Sequence, residues 1–465
     1  MAPPSHSSEA RRVVVVGGGL AGMAAAVALQ SAGVVVTLIE ARRNLGGRAG
    51  SFVDPQSGEI LDNCQHVLLG CCTNLVDFYR RIGAEKKIRW ENQIHFMNAR
   101  GECFSLSAVS ALPAPLHLGP AMAGFGLLTI PERLAVSRAM LVMLRLGRSG
   151  REKLADVPFG QWLDRYRQPE AAMVNLYDPI VVSGLNERTS DASAAYAIKI
   201  FQEALLFNRG GYALGLPACP LGELYESIPD TDMRLGVRAA GLRFDGDCVR
   251  GVLIGDGEMQ ADAVVLATNH HSIDKWVPEN LLARDERFAH LEKLESVPIL
   301  GAHLWFDRPV MKRSHAALVS GPLQWLFRKD ETGKAVHGVI SAAREWVGVA
   351  REECLAQFEC QIRQTLPAAR EAKLERGVIV VEKRATFSPR PGVDRWRPAQ
   401  GAAEGGIGNL FLAGDYTRTG WPATMEGAVR GGYLAADAVL RFFGIQRASF
   451  LAADLATEWV ARQFR

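Results

Sequence analysis

The eight cysteines of this 465-residue chain form no CxxC pair, its charges form no tail of one sign, and no internal repeat is present. Without CxxC, and without any other spacing typical of metal ligands, no metal is expected. Scattered cysteines of this kind act as small apolar residues and suit a reducing compartment. A net charge of only +3, with no basic stripe interleaved with aromatics, excludes nucleic acid as a partner. The polar stretch Met1 to Arg12 does not read as a secretory leader, because the apolar run Val13 to Val16 breaks at once into glycines. From Cys103 to Ile130 there is no Asp, Glu, Lys or Arg, a length that would span a bilayer. That stretch contains Pro113, Pro115 and Pro120, each of which breaks backbone bonding that lipid cannot replace. It is expected to line a greasy cavity or rest on a membrane surface. A cytoplasmic protein is expected, with peripheral contact at the inner face of the membrane as its nearest approach to lipid.

What is present points to two domains. Composition is that of a globular chain, and the length exceeds the roughly 250–300 residues at which one core stops growing. Val13 to Val16 reads as a buried parallel strand. Gly17, Gly19 and Gly22 follow in G-x-G-x-x-G spacing, the first for a tight turn, the second for close approach to a diphosphate, the third for helix–strand packing. An alanine-rich helix starting at Leu20 would aim its dipole and the amides of Leu20, Ala21 and Gly22 at that diphosphate. Val34 to Ile39 is the next strand, and Glu40 closes it in position for ribose hydroxyls. Strand, turn, helix, strand and acid together define a dinucleotide fold but leave NAD and FAD open.

Two further motifs argue for FAD. In Leu45-Gly46-Gly47-Arg48 the glycines, Gly47 included, let the chain pass close to a ligand, and Arg48 offers a forked donor. Near the other end, a buried strand Asn409 to Ala413 delivers Gly414 and Asp415, whose carboxylate suits ribityl hydroxyls. A helix opening around Met425 would steady negative charge at the pyrimidine edge of a reduced flavin.

Between these motifs, residues 74–210 read as mostly helical, with Val136, Met140, Met143, Leu144 and Leu146 at helical spacing. Met233 to Val265 reads as short strands with hairpins at Asp245-Gly246 and Asp256-Gly257. Strands are expected at Ile299 to Phe306, Gln324 to Arg328, Gly338 to Ala342 and Gly377 to Ala385, and helices near Glu352 to Gln364 and Ala423 to Phe443. Nucleotide-binding features at both ends and in the middle make the domains discontinuous. The expected FAD-binding parts are 10–73, 215–272 and 405–445, and the substrate parts are 74–214, mostly helical, and 273–404, sheet plus helices. A C-terminal helix is expected over 446–465.

With these motifs the chain resembles the FAD-dependent amine oxidase and carotenoid desaturase superfamily from about Val13 to Leu440. The stretches DNCQHVLLGCCTN (Asp62 to Asn74) and AGDYTRTGWPATMEGAVRGG (Ala413 to Gly432) look most like the hydroxysqualene dehydroxylases, also called squalene-associated FAD-dependent desaturases. In that family glycine is usual at the Cys64 position and an aromatic at the Cys72 position. The resemblance implies an α/β fold, a Rossmann-like FAD-binding domain of the glutathione-reductase type interleaved with an α+β substrate domain. It further implies adenine contact through the Val237 backbone and places Thr268 near the nucleotide.

The implied activity is reductive removal of the allylic hydroxyl of hydroxysqualene, giving squalene in squalene and hopanoid biosynthesis. That reaction needs an acid for the departing oxygen, hydride from reduced FAD, and a pocket free of the water that would trap the cation. His66 is the candidate acid, with Asp62 as partner or substitute; a histidine satisfied within the core is the competing reading. His270-His271 is expected to turn outward. Phe125, Leu127, Leu128, Met140, Met143 and Trp325 would line a cavity for a long apolar isoprenoid. Arg138, Arg145, Arg148 and Arg151 would rest on anionic lipid, or else form a solvated helix face. Two alternatives stand: a carotenoid desaturase, passing hydride from substrate to oxidised FAD, and a flavin-free prenyl-lipid carrier resembling Rab GDP-dissociation inhibitors. No second dinucleotide fingerprint is present, so the electron partner would be a separate protein or transiently docked NAD(P)H.

Overall fold

The computed structural model describes residues 11–228 and 231–464, so most of the expected polar arm lies outside the described residues. Arg12–Val16, Val35–Glu40, Asp232–Leu235, Ala263–Leu266 and Leu410–Leu412 form a five-stranded, all-parallel sheet with Arg12–Val16 at its centre. Side chains alternate between the faces of such strands. Val13, Val15, Ala263, Val265 and Phe411 meet the helices Leu20–Ser31 and Met425–Phe442. Val14, Val16, Val264, Leu266 and Leu412 meet the antiparallel meander Ala239–Asp245, Cys248–Ile254 and Gly257–Gln260 through Leu242, Val249 and Val252. Cover on both faces accounts for the unbroken apolar run at Val13 to Val16. The two helices cross so closely that a Cβ on Gly432 would overlap the Ala21 carbonyl oxygen.

A second, seven-stranded mixed sheet runs in the order Leu374–Phe387, Ser296–Phe306, Ala335–Ile340, Trp325–Arg328, His315–Leu318, Gln93–Met97 and Cys103–Ser107. Leu300, Ala302, Leu304 and Leu326 pack beneath the helix Arg351–Thr365. The opposite face carries Ile299, Trp325, Phe327 and Val339 toward Cys64, Leu69 and the strand Leu214–Pro217. Helices between Ile130 and Ile200 build the largest apolar core, where Phe125, Leu128 and Met143 are buried and Leu127, Met140 and Trp325 are partly so.

The mostly helical stretch 74–210 also contains the strands Ile88–Glu91, Gln93–Met97 and Cys103–Ser107; Leu214–Pro217 and His315–Leu318 recruit the first two into sheets, and the third joins the second as a hairpin. The expected C-terminal helix needs correction. The C-terminal helix exists only at Trp459–Arg462. Before it, backbone groups that would close helical turns are taken by the body of the protein. Asp437 accepts from Phe450 N at 3.2 Å, Asn74 Oδ1 accepts from Ala452 N at 2.9 Å, and Arg148 donates to Leu455 O at 2.9 Å. Among the described residues no helix is long and apolar enough to cross a membrane. Cys103 to Ile130 is a strand followed by the short turns Leu116–Leu118 and Gly119–Ala123.

Candidate cofactor and substrate site

The carboxyl ends of parallel strands are where α/β sheets bind nucleotides, and the glycine motifs meet there. Gly17 has φ +113°, and a Cβ on it would lie 2.7 Å from Ala267 O. A Cβ on Gly22 would overlap Gly17 O, whereas one on Gly19 would meet nothing within 4 Å. The second motif lies over the first: Gly46 N donates to Gly18 O at 2.8 Å, and a Cβ on Gly47 would sit 3.2 Å from Gly19 Cα. No side chain caps the helix Leu20–Ser31, so no side chain competes for the amides of its first turn. Glu40 accepts from Gly18 N at 2.7 Å and Arg42 N at 2.8 Å, and its carbonyl accepts from Val237 N at 3.0 Å. Each carboxylate oxygen keeps a second lone pair for a ribose hydroxyl. Arg48 Nη2 reaches Asp415 Oδ1 at 2.7 Å, and a Cβ on Gly431 would overlap Gly414 O. The helix that begins at Met425 is thereby pressed against the end of the strand Leu410–Leu412.

This arrangement fits a dinucleotide. Three buried polar atoms without a partner, Thr268 Oγ1, Tyr416 Oη and Trp421 Nε1, follow the ends of two neighbouring parallel strands. Leaving such a group unpaired costs about 1–3 kcal/mol. A ligand rich in phosphate, hydroxyl and carbonyl oxygens would satisfy groups of this kind.

The candidate acids Asp62 and His66 are both tied to neighbouring groups. Asp62 accepts from Ser51 Oγ at 2.8 Å and Leu221 N at 2.9 Å, and pairs with Lys329 Nζ at 3.1 Å. These donors hold its carboxylate, which anchors the loop to the rest of the site. His66 Nδ1 lies 3.0 Å from Cys64 O. A carbonyl only accepts, so Nδ1 carries the proton and Nε2 the lone pair. Burial lowers the His66 pKa, against the Cys64 carbonyl bond and the Asp62 charge, which raise it; the weaker Arg48 and Lys329 charges act with burial.

His270 turns inward, bonded through Nε2 to Leu294 O at 3.0 Å, because Asn269 caps the turn His270–Lys275 and folds it against the second sheet. Arg148 and Arg151 also turn inward, pairing with Glu203 at 2.8 Å and 2.7 Å, which leaves Arg138 and Arg145 exposed.

Sequence reasoning missed several supports of this site. The buried Arg397 donates to Asp415 O at 2.9 Å, Tyr416 O at 3.4 Å and Thr419 Oγ1 at 2.9 Å, and also to Thr417 O. One guanidinium therefore shapes the loop that presents Asp415. Glu426 accepts from Asn74 N at 3.3 Å and Leu75 N at 2.8 Å, joining the helix Met425–Phe442 to the start of Thr73–Arg81. Neither residue stands out by spacing, since their partners are distant in the chain.

Lys199 is buried against Trp421, 4.6 Å from the ring centroid, and donates to Gly420 O at 2.8 Å. Burial, reinforced by Arg151, lowers its pKa from 10.5 to about 8. Between those values the unfolded chain binds a proton that the folded chain lacks, so this group's contribution to stability rises with pH across that window; below it the penalty is constant. Lys199→Met is expected to be more stable than wild type at pH 7, by about 3 kcal/mol at most, with the gap closing as pH rises. Urea unfolding across pH 7 to 10 checks this, and a gap that widens would refute it.

A parallel sheet with this glycine fingerprint, an uncapped helix N-terminus and carboxylates beyond its strand ends is the framework of a dinucleotide-binding fold. Residues 20–440 match the model of the flavin-containing amine oxidoreductases, and the chain belongs to that family. FAD is its cofactor. The chain is 24% identical to a 15-cis-phytoene desaturase of Synechococcus elongatus, over 92% of this chain and 96% of the relative. It is 26% identical to a zeta-carotene desaturase of Synechocystis, over 92% and 97%. A putrescine oxidase structure shares the fold at TM-score 0.67 and 17% identity, covering 93% of this chain and 99% of that one. A putative protoporphyrinogen oxidase from Exiguobacterium does so at TM-score 0.65 and 19% identity, covering 94% and 99%.

Proposed function

We propose that this protein is an FAD-dependent desaturase of a long acyclic isoprenoid of the phytoene type. The observation that carries the reading is similarity along nearly the whole chain to relatives named for phytoene and zeta-carotene. Gly17, Gly19 and the amides of Leu20, Ala21 and Gly22 would hold the diphosphate, with Glu40 and Val237 at the adenosine end and Thr268 beside it. Gly47, Arg48, Gly414 and Asp415 would hold the ribityl chain, and the helix start at Met425 the pyrimidine edge. Bound there, FAD supplies a two-electron acceptor for hydride.

The protein's part is to exclude water and to orient an apolar chain. The sheet face of Ile299, Trp325, Phe327 and Val339, closed by Leu214 and Leu216, supplies a wall of that kind. Dehydroxylation of hydroxysqualene is the second reading, favoured by the stretch Asp62 to Asn74. A flavin-free carrier is set aside by membership of the flavin family.

Anaerobic single turnover separates the two redox readings. Oxidised holoenzyme should lose its flavin colour on mixing with phytoene. Chemically reduced holoenzyme that instead converts hydroxysqualene to squalene would establish the second reading.

An apolar substrate dissolves in membranes, and one helix face is suited to reach it. Ile130 and Leu134 are 68% and 54% exposed. Arg138 and Arg145 share their face at helical spacing. We propose peripheral binding there to anionic lipid. Sedimentation with phosphatidylglycerol vesicles should pellet the wild type at low salt and leave Ile130→Glu/Leu134→Glu in the supernatant; a wild type that stays soluble refutes it.

A further inference from the structure

We infer that the seven-stranded sheet carries an acid-sensitive catch, a row of buried histidines that can take up protons only when the sheet opens. The strand register builds the row. His303 lies opposite His337, His337 opposite Phe327, and Phe327 opposite His315, so four neighbouring strands set these rings on one face. His95, on the next strand, comes within 5.0 Å of His315 between ring centroids. All four histidines are buried.

The bonding of the central pair leaves no place for another proton. Asp62 O, a carbonyl, lies 2.9 Å from His303 Nε2 and can only accept, so that nitrogen carries the proton. His303 Nδ1 is then a lone pair, and it accepts from His337 Nδ1 at 3.2 Å. A proton added to His303 breaks that bond. One added to His337 falls on Nε2, an atom that is buried and has no partner. His315 Nε2 is likewise buried without a partner, and His95 Nδ1 lies 2.7 Å from Ser105 Oγ.

The surrounding charges favour the neutral rings. Lys329 and Arg376 face His303, and Lys329 and His66 face His337. The Asp62 carboxylate opposes them at His303, but it is already paired with Lys329 at 3.1 Å. Arg89 and Arg313 face His315 against the Gln93 carbonyl, and Arg313 faces His95 against Glu91. Burial is the largest influence at every ring. It holds His303 and His315 down at about 4, His337 well below the ordinary 6.5, and His95 below that value too.

The sign follows from linkage. Well above pH 6.5 neither the closed nor the opened sheet binds these protons. From there down to about pH 4 the opened sheet takes them and the closed sheet refuses, so closure weakens as pH falls. For one histidine held at about 4, opening becomes about 20-fold easier between pH 7 and pH 5. Trp325, Phe327 and Val339 share this face, so acid loosens the apolar wall along with the row.

Hydrogen exchange in the strand Ala335–Ile340 of the holoenzyme, corrected for the intrinsic rate at each pH, reads this opening. Between pH 7 and pH 5 the wild type should open at least about 20-fold more, and His337→Gln, which cannot titrate, should show a smaller rise. In ¹⁵N spectra of histidine-labelled protein at pH 5, the His303 and His315 rings should stay neutral, identified by the signals lost in His303→Gln and His315→Gln. Exchange that is the same at both pH values, or an equal rise in His337→Gln, overturns the catch. So do rings that become charged near pH 6.5 while the sheet stays closed. Should a variant not fold, exchange in the wild type decides alone.

Discussion

Gly19→Ala is expected to fold as the wild type does and yet bind FAD at least about tenfold more weakly, a loss of about 1.4 kcal/mol. Gly22→Ala, three residues on, is expected not to assemble the slot. The contrast is geometric. A methyl on Gly19 meets no protein atom within 4 Å, so the space it enters is the space proposed for the diphosphate. A methyl on Gly22 overlaps the Gly17 carbonyl, a backbone atom that cannot step aside without moving the strand end. Alanine favours helix over glycine by about 1 kcal/mol, so propensity alone predicts that Gly22→Ala stabilises. Flavin titration of the apoproteins and their unfolding midpoints decide the matter. Unchanged FAD affinity in Gly19→Ala would sink the proposed diphosphate position.

The second large effect is expected at Arg397. Replacing it by Met removes the shared donor to Asp415 O, Tyr416 O, Thr417 O and Thr419 Oγ1, and leaves buried acceptors unpaired. Breaking a buried charged network by removing one member costs about 3–5 kcal/mol. Arg397→Lys should recover little, since one ammonium cannot reproduce a planar fork. FAD retention should fall along with stability, because the freed loop carries Asp415. Urea unfolding within about 1 kcal/mol of wild type would refute this account.

Much of the nucleotide fold was legible because its signals are local. The strand Arg12–Val16, the glycine turn, the helix and Glu40 follow one another within about 30 residues, and each requires a particular residue type. The strands and helices around Gly377 to Ala385 and Met425 were legible for the same reason. The irregular C-terminal stretch was not, since Asn74 and Arg148 claim its backbone from far away in the chain. Proton chemistry was hidden too. The presence of His66 is visible in the sequence, but its tautomer depends on a carbonyl two residues away, and that of His337 on His303 across a sheet. Arg397 carries no pattern at all, because its partners lie in a loop that only the folded chain brings to it.

The centre of the parallel sheet is made from the first strand of the chain, while the strand that presents Asp415 comes near the end. At about 5–20 residues per second, a ribosome needs roughly 20–80 s to supply the second after the first. Ala263–Leu266 arrives part-way through that interval and covers the edge of Arg12–Val16, but its own outer edge has no neighbour until Leu410–Leu412 is made, and until then one bank of the proposed cofactor slot does not exist. A flavin gripped from both banks therefore has to wait for a strand made late in synthesis, whichever bank it meets first.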